Sequence, residues 1–530
     1  MNTLRPLITA VFALTLAWPA AASDYDGRFL STVRIHLDAL IDHGRDHYGR
    51  HHSPMFAADL SLDTLALPAE RPPTPPGVTD YEFKRYSYGG SNLYWDILTL
   101  RSMYLASEIT GDDSYAQAAT DCLHFFTQYA QSPYTNLFAW GQHAFWDFRQ
   151  EHEAIDDPNE RWRWFGEIRH EFESFTPPLD LIWPFAPQAV LNFAEGIHDW
   201  HIHDYDTFVF DRHAPMYHPI TPGALLTPDM KRPGPPPPSW WESAKALVRT
   251  PREPRSDHPQ AWQRHSGLYM VTFAFAHNKT GAEKYADWIL GLSDLYWNMR
   301  DPETNRVYTC LSIDDATGEV IPEVRQTERG ILDEQAYWKL MASLQMLDHP
   351  VGDTLRERGL AYMHSWREGR GPDSGRWLWT SSSPQGSIQG QAFALAYKVS
   401  GDEAFRDWLI EWAETAMNHR PHAQDDGKWD LFPERYGKMI IALIQLREIT
   451  GDWAYIEQAA QVADEGIALL QHESGLFHAV THVERENGEW TRTEPYPYYN
   501  NHTGAQTFLY ALMQLHILEA QLPFRIEHNY

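Results

Sequence analysis

An all-α fold, an incomplete or complete (α/α) toroid of helical hairpins with short β-hairpin insertions, is what this 530-residue sequence predicts. The first supporting observation is a repeated pattern: Ser or Thr, then Gly, then Asp or Ala, two free positions, and Tyr or Phe. It occurs as Thr110-Gly111-Asp112 with Tyr115, Thr280-Gly281-Ala282 with Tyr285, Ser400-Gly401-Asp402 with Phe405, and Thr450-Gly451-Asp452 with Tyr455. The second is context. Segments such as FAFAHNKTG and ALIQLREITG lead into the pattern, YADWILGLSDLYW and FRDWLIEWAETAM follow it, and all have helical apolar spacing. Glycine just past a helix takes the left-handed conformation that closes the last turn, and Asp or an acidic first turn suits the next helix's N-terminus. The third is composition: 43% hydrophobic and 14% aromatic residues suffice for a wide core. Arrays of helical hairpins grow as one unit past the usual domain size.

The elements follow in chain order. Arg5 precedes an apolar run from Leu7 to Trp18, which ends in Pro19 and Ala20-Ala21-Ala22. This reads as a signal peptide over residues 1–22, cleaved after Ala22, with a secreted or periplasmic product. Residues 23–530 are expected to form a single catalytic domain. A first helix is expected in 24–50, a Pro-rich loop over 67–78, and helices again over 92–107 and 115–131. The stretch PDMKRPGPPPPS at 228–239 is a surface loop, because successive prolines fix φ and remove donors. Two hairpins interrupt the helices, one over 306–322 around Asp315-Ala316-Thr317-Gly318, the other turning at Asn487-Gly488. A last helix is expected over 506–521. No stretch after the leader is long and apolar enough for a membrane span. Whether Cys122 and Cys310, the two cysteines, pair is open from sequence.

The formal net charge of −29, with no basic stripe, excludes nucleic acid as the expected partner. Twenty-two Trp, spread over loops as well as helices, suit stacking on sugars beside ordinary packing.

Residues 140–218 hold the densest set of polar and aromatic groups. They include Trp140-Gly141-Gln142-His143, Arg169-His170-Glu171, His198, His201, His203 and Asp211-Arg212-His213. Imidazoles and a carboxylate from separate segments, completed by water, are what a divalent-cation site uses. His143, Glu171 and His213, each at the end of an apolar or aromatic run, are the expected ligands; His198, His201 and His203 are the competing set. A His-rich solvated surface gives the same clustering in a chain with 27 His. Mn, Ca and Zn are all compatible with such a site.

The order Trp-Gly-x-His, His-Glu, Arg-His resembles the metal-dependent pectate lyases of polysaccharide lyase family 2 and related bacterial lyase-like proteins, which are (α/α) toroids. The resemblance implies that two His and one Glu, here His143, Glu171 and His213, hold a divalent cation, and that a basic residue beside a ligand His, here Arg212, serves in catalysis. It implies cleavage of a uronate-containing acidic polysaccharide by β-elimination. That reaction removes the C5 proton α to the carboxylate and expels the C4 oxygen, so it needs charge neutralised at the carboxylate and a base near C5. Arg212, His265, Tyr269 and Arg329 are the candidates for these catalytic roles. An Arg base requires a strongly perturbed guanidinium, so Arg212 is read as either base or carboxylate clamp. Tyr88, Asn92, Trp140, Arg435 and Asn501 lie just before or between helical segments and are expected to line the cleft; as helix caps they would look the same. Two other classes remain. One is a toroidal glycoside hydrolase, a glucuronidase or unsaturated-uronyl hydrolase drawing on Asp147, Glu171, Glu195, Asp333 or Glu434. The other is a non-catalytic glycan-binding protein.

Overall fold

The structure, a computed structural model, describes residues 27–74, 87–132, 135–141, 144–149, 151–155, 169–172, 175–215, 261–305, 307–314, 316–322, 347–370, 375–380, 388–424, 426–487, 489–492 and 496–523. The signal peptide, the 228–239 loop, His143, Asp333 and Arg329 lie outside them.

The helices are α1 (Arg28–His43), α2 (Ile97–Thr110), α3 (Asp113–Tyr129), α4 (Leu179–Ile182), α5 (Pro187–His201), α6 (Gln263–Thr280), α7 (Glu283–Met299), α8 (Val351–Arg370), α9 (Trp377–Thr380), α10 (Gln389–Ser400), α11 (Glu403–His419), α12 (Pro433–Thr450), α13 (Ala454–Leu470) and α14 (Ala505–Glu519). The strands are β1 (Asp59–Ser61), β2 (Gly90–Ser91), β3 (Ala144–Asp147), β4 (His152–Ile155), β5 (Arg169–Glu171), β6 (His213–Pro215), β7 (Ala261–Trp262), β8 (Cys310–Ile313), β9 (Val320–Pro322), β10 (Gly427–Leu431), β11 (Thr481–Glu486), β12 (Glu489–Arg492) and β13 (Tyr498–Asn500).

Two kinds of helix alternate, and burial separates them. In α3, buried residues fall on one face, at Tyr115, Ala118, Ala119, Cys122, Leu123 and Phe126; α7, α11 and α13 repeat this spacing. In α12, every residue from Pro433 to Leu446 is buried, and α14 is buried from Ala505 to Ile517. A helix buried on one stripe faces solvent, and one buried all round is enclosed by its neighbours. The chain is therefore an (α/α) toroid, with α2, α6, α10, α12 and α14 inside and α1, α3, α7, α11 and α13 outside.

Each inner helix runs into its outer partner through the repeated pattern. Gly111, Gly281, Gly401 and Gly451 close α2, α6, α10 and α12 in the left-handed conformation, with φ of 74°, 67°, 71° and 77°. At each turn the preceding hydroxyl donates to the carbonyl four residues back and accepts from the amide two residues on, as Ser400 does with Ala396 (2.6 Å) and Asp402 (3.0 Å). Asp112, Asp402 and Asp452 then cap the next helix by accepting from the amides of Ser114, Ala404 and Ala454. The aromatic of the pattern anchors the outer helix: Tyr115, Tyr285 and Phe405 are buried and Tyr455 is half-buried.

The return connections, from outer to inner helices, carry the strands. β7 leads into α6, β10 into α12 and β13 into α14, so the N-termini of the inner helices share a strand-decorated rim, and the tight turns occupy the opposite one. The expected hairpins form as β8–β9 and β11–β12, the second extended by β10 into a three-stranded sheet. The ends of the chain are stitched together: β1 pairs antiparallel with β13, and Gln506 Oε1 accepts from the Leu98 amide at 2.9 Å. Cys122 and Cys310 are both buried and form no disulfide with each other. Among the described residues no helix is long and apolar enough to cross a membrane.

Candidate functional site

β5 and β6 form a two-stranded sheet of only three residue pairs. Their antiparallel register sets Glu171 opposite His213 and His170 opposite Ala214, so one pairing brings the His-Glu and Arg-His segments face to face. Glu171 Oε1 lies 3.3 Å from Arg212 Nη1, 3.4 Å from His213 Nε2 and 3.9 Å from His265 Nε2. Glu171 and His265 are buried, while Arg212 and His213 are partly open to solvent. Burial lowers the His213 imidazole below its usual range; Glu171 opposes the shift and Arg212 adds to it. A neutral imidazole presents a lone pair, which is the form that binds a cation. The Arg212 guanidinium also lies over the Trp262 ring, 5.8 Å from its centroid.

The strand with Glu171 is held from behind by a chain of histidines. The Asp211 carbonyl can only accept, so the 2.8 Å contact from His201 Nδ1 places that ring's proton on Nδ1. The Tyr269 oxygen lies 2.9 Å from the same nitrogen. His201 Nε2 is then an acceptor, and His170 Nδ1–H donates to it at 2.7 Å. His170 Nε2 is left as a lone pair, buried and without a hydrogen-bond partner among the described residues. Burial is the main cause that keeps both rings neutral, lowering His201 to about 4 and His170 well below its ordinary value. Because the chain begins at the Asp211 main chain and ends beside Glu171, it ties β5 to the Arg212-His213 segment.

A second tie comes from the Trp-Gly segment. Gly141 has φ of 112°, and a Cβ there would lie 2.2 Å from the Glu171 carbonyl oxygen. The Glu171 amide donates to the Trp140 carbonyl at 3.2 Å, and Asn92 Nδ2 donates to the Gly141 carbonyl at 3.0 Å.

The structure thus brings Glu171, Arg212, His213 and His265 together, with Tyr269 one layer behind, its hydroxyl turned to His201. Burial pushes that phenol well above its ordinary range. The expected cleft-lining residues sit differently. Trp140 is enclosed by Tyr94 and Phe126, and its indole donates to the Phe175 carbonyl at 2.7 Å. Asn92 caps the 3₁₀ turn Leu93–Trp95, and Asn501 Nδ2 donates to Asp96 at 3.1 Å. Arg435 donates to the carbonyls of Trp379 and Asp430. All four are buried, and these contacts hold the rim loops in place. Tyr88 is half-buried, its hydroxyl donating to the Pro68 carbonyl. His198 is stacked on Trp288, 3.8 Å between centroids, and Glu195 pairs with Lys284 and Tyr285, so both lie against an outer helix. His170 and Asp211, noted in sequence only as members of the dense polar segment, are positioning groups, and His201, expected in the competing ligand set, is engaged instead with His170 and the Asp211 carbonyl.

A carboxylate and two imidazoles, here Glu171, His213 and His265, are donor types that suit an oxygen- and nitrogen-binding divalent cation, whereas the Arg212 guanidinium has no lone pair to give; among the described residues the group whose ligand atoms all lie within 4.8 Å of one another is His277, Glu283 and His349. No curated protein matches the chain. Among solved structures, cellobiose 2-epimerase from Bacillus thermoamylovorans B4167 is 10% identical with a TM-score of 0.46, covering 92% of this chain and 98% of that one. D-mannose isomerase is 12% identical with a TM-score of 0.45, over 94% and 100%. An unsaturated glucuronyl hydrolase specific for heparin is 10% identical with a TM-score of 0.40, over 93% and 98%. Residues 87–308, the segment that contributes Glu171, Arg212, His213 and His265, match the family model described as periplasmic pectate lyase, and it is this family that the chain resembles.

Proposed function

We propose that the protein is an exported polysaccharide lyase that cleaves a uronate-containing acidic polysaccharide by β-elimination. The observation that carries this reading is the convergence of Arg212, His213 and His265 on Glu171. The family match over residues 87–308 supports it.

A divalent cation bound there would supply Lewis acidity at the uronate carboxylate, the charge neutralisation that makes the C5 proton more acidic. His143, Glu171 and His213, the set the family resemblance implies, would hold it, with the His265 imidazole beside Glu171. Arg212 sits beside this set with part of its side chain in solvent, where its planar fork suits pairing with the uronate carboxylate. As a base it would instead take the C5 proton, which requires the guanidinium to be deprotonated. The strand register and the His201 chain keep these groups aligned before substrate arrives, and such preorganisation lowers the barrier to forming the carbanion-like state.

The test is near-ultraviolet absorbance of the conjugated unsaturated uronate while purified protein meets a panel of uronate polymers, with and without chelator. A chelator-sensitive rise is the expected result. A rise indifferent to chelator would remove the cation from the mechanism. New reducing ends without absorbance would replace the lyase with a glycoside hydrolase, and binding without turnover would leave a glycan-binding protein.

A further inference from the structure

On the opposite rim from Glu171, we propose a second cation site, built from His277, Glu283 and His349 and selective for zinc-like transition metals. His277 lies in the last turn of α6, Glu283 opens α7, and His349 lies two residues before α8. One ligand atom from each falls within 4.8 Å of the others.

His277 is 7% exposed, and both of its ring nitrogens are buried with no hydrogen-bond partner among the described residues. Leaving both ring nitrogens of a buried imidazole unsatisfied costs free energy, and a cation held by one of them removes part of that cost. The ring faces that of His349, 5.0 Å away at 71°. His349 Nε2 lies 3.0 Å from Glu283 Oε2, so a carboxylate is already drawn in. The loop is pinned, since the Asp348 amide donates to Asn278 Oδ1 at 3.2 Å. Without a cation, the Val351 amide donates to His349 Nδ1 at 3.2 Å, which keeps the ring proton on Nε2, pointing at Glu283. On binding, Nε2 becomes the ligand, the proton moves to Nδ1, and this long amide contact is given up.

Two imidazoles and one carboxylate, completed by water, form a zinc-type set; Ca²⁺ and Mg²⁺ prefer oxygen donors. A cation here joins the α6–α7 turn to the segment that starts α8, clipping neighbouring hairpins together far from the strand-bearing rim. Its role is to hold the array, so it is separable from the chemistry at Glu171.

Chelator-stripped full-length Glu171→Gln protein, in which the first site is disabled, would be titrated with zinc chloride and separately with calcium chloride, followed by calorimetry and thermal unfolding. One tight zinc equivalent with a rise in Tm, and no such response to calcium, is expected. The further change His349→Gln, at a partly exposed position, should remove that equivalent and the rise in Tm while leaving the zinc-free Tm in place. In the otherwise native chain, His349→Gln should leave lyase turnover intact. Zinc stoichiometry unchanged by His349→Gln would overturn the site, as would a calcium response equal to that of zinc.

Discussion

Replacing His201 with Phe keeps a ring of similar size in the same buried position and deletes both nitrogens. Three contacts disappear together: His170 Nδ1 at 2.7 Å, the Asp211 carbonyl at 2.8 Å and the Tyr269 hydroxyl at 2.9 Å. His170 and Tyr269 are fully buried and Asp211 nearly so, so water does not replace the lost partner. At roughly 1 kcal/mol net per hydrogen bond, with the stranded His170 donor at the upper end of its range, the loss comes to about 3–5 kcal/mol. Guanidinium unfolding measures it, and Tyr269→Phe, which removes one contact, should lose only about 1 kcal/mol. Because the chain of histidines positions β5 against Arg212 and His213, turnover in the His201→Phe protein should fall at temperatures where it is fully folded. An unfolding free energy within about 0.5 kcal/mol of the native chain, the margin of an ordinary surface substitution, would refute both the hydrogen-bond assignment and the positioning role drawn from it.

Glu171→Gln removes the charge on which Arg212, His213 and His265 converge while preserving shape. Turnover should collapse and chelator sensitivity vanish, with the fold retained by circular dichroism; a large loss of stability with turnover preserved would make the cluster a structural ion pair. Gly141→Ala should lower turnover, since the added Cβ meets the Glu171 carbonyl at 2.2 Å, and kinetics on the folded variant would show it. Gly401→Ala meets nothing within 4 Å and strains only the backbone, so denaturant unfolding should register about 1–2 kcal/mol with turnover unchanged. Acid should destabilise the fold through histidines held neutral: burial lowers His36 to about 3 and His201 to about 4. Their folded values lie below that of an unfolded His, near 6.5, so the unfolded chain binds more protons in between. Their full stability contribution holds above that value and is lost as pH falls through it, by about 2 kcal/mol per group at pH 5. Tm measured against pH should show the slope, and His36→Phe, which keeps the stack on Phe477, should flatten it.

The helical hairpin turns were legible in the residues because their chemistry is local. A hydroxyl, a left-handed glycine and a capping Asp within a few positions do the same work at each turn whatever surrounds them. The β8–β9 and β11–β12 hairpins were legible for the same reason, since Asn487 and Gly318 mark turns between adjacent strands. That Glu171, Arg212 and His213 would meet was expected from the order of short polar motifs, which resembles a family. The β5–β6 pairing left no such mark: three residues per strand are too few for an alternation signal, and their partners are distant in sequence. The same holds for β1 with β13, which joins the ends of the chain.

Burial was the other quantity that only the fold decided. Asn92, Trp140, Arg435 and Asn501 have the composition of cleft-lining residues, yet each spends its polar atoms beneath the rim. His265 and His277 lie on one helix and read alike in sequence, yet one ends beside Glu171 and the other on the opposite rim beside Glu283. By itself the sequence determined which bends the chain makes, because a bend is set by the residues within it. Which polar groups face one another across the toroid was decided by tertiary packing, because that depends on the curvature summed over every hairpin between them.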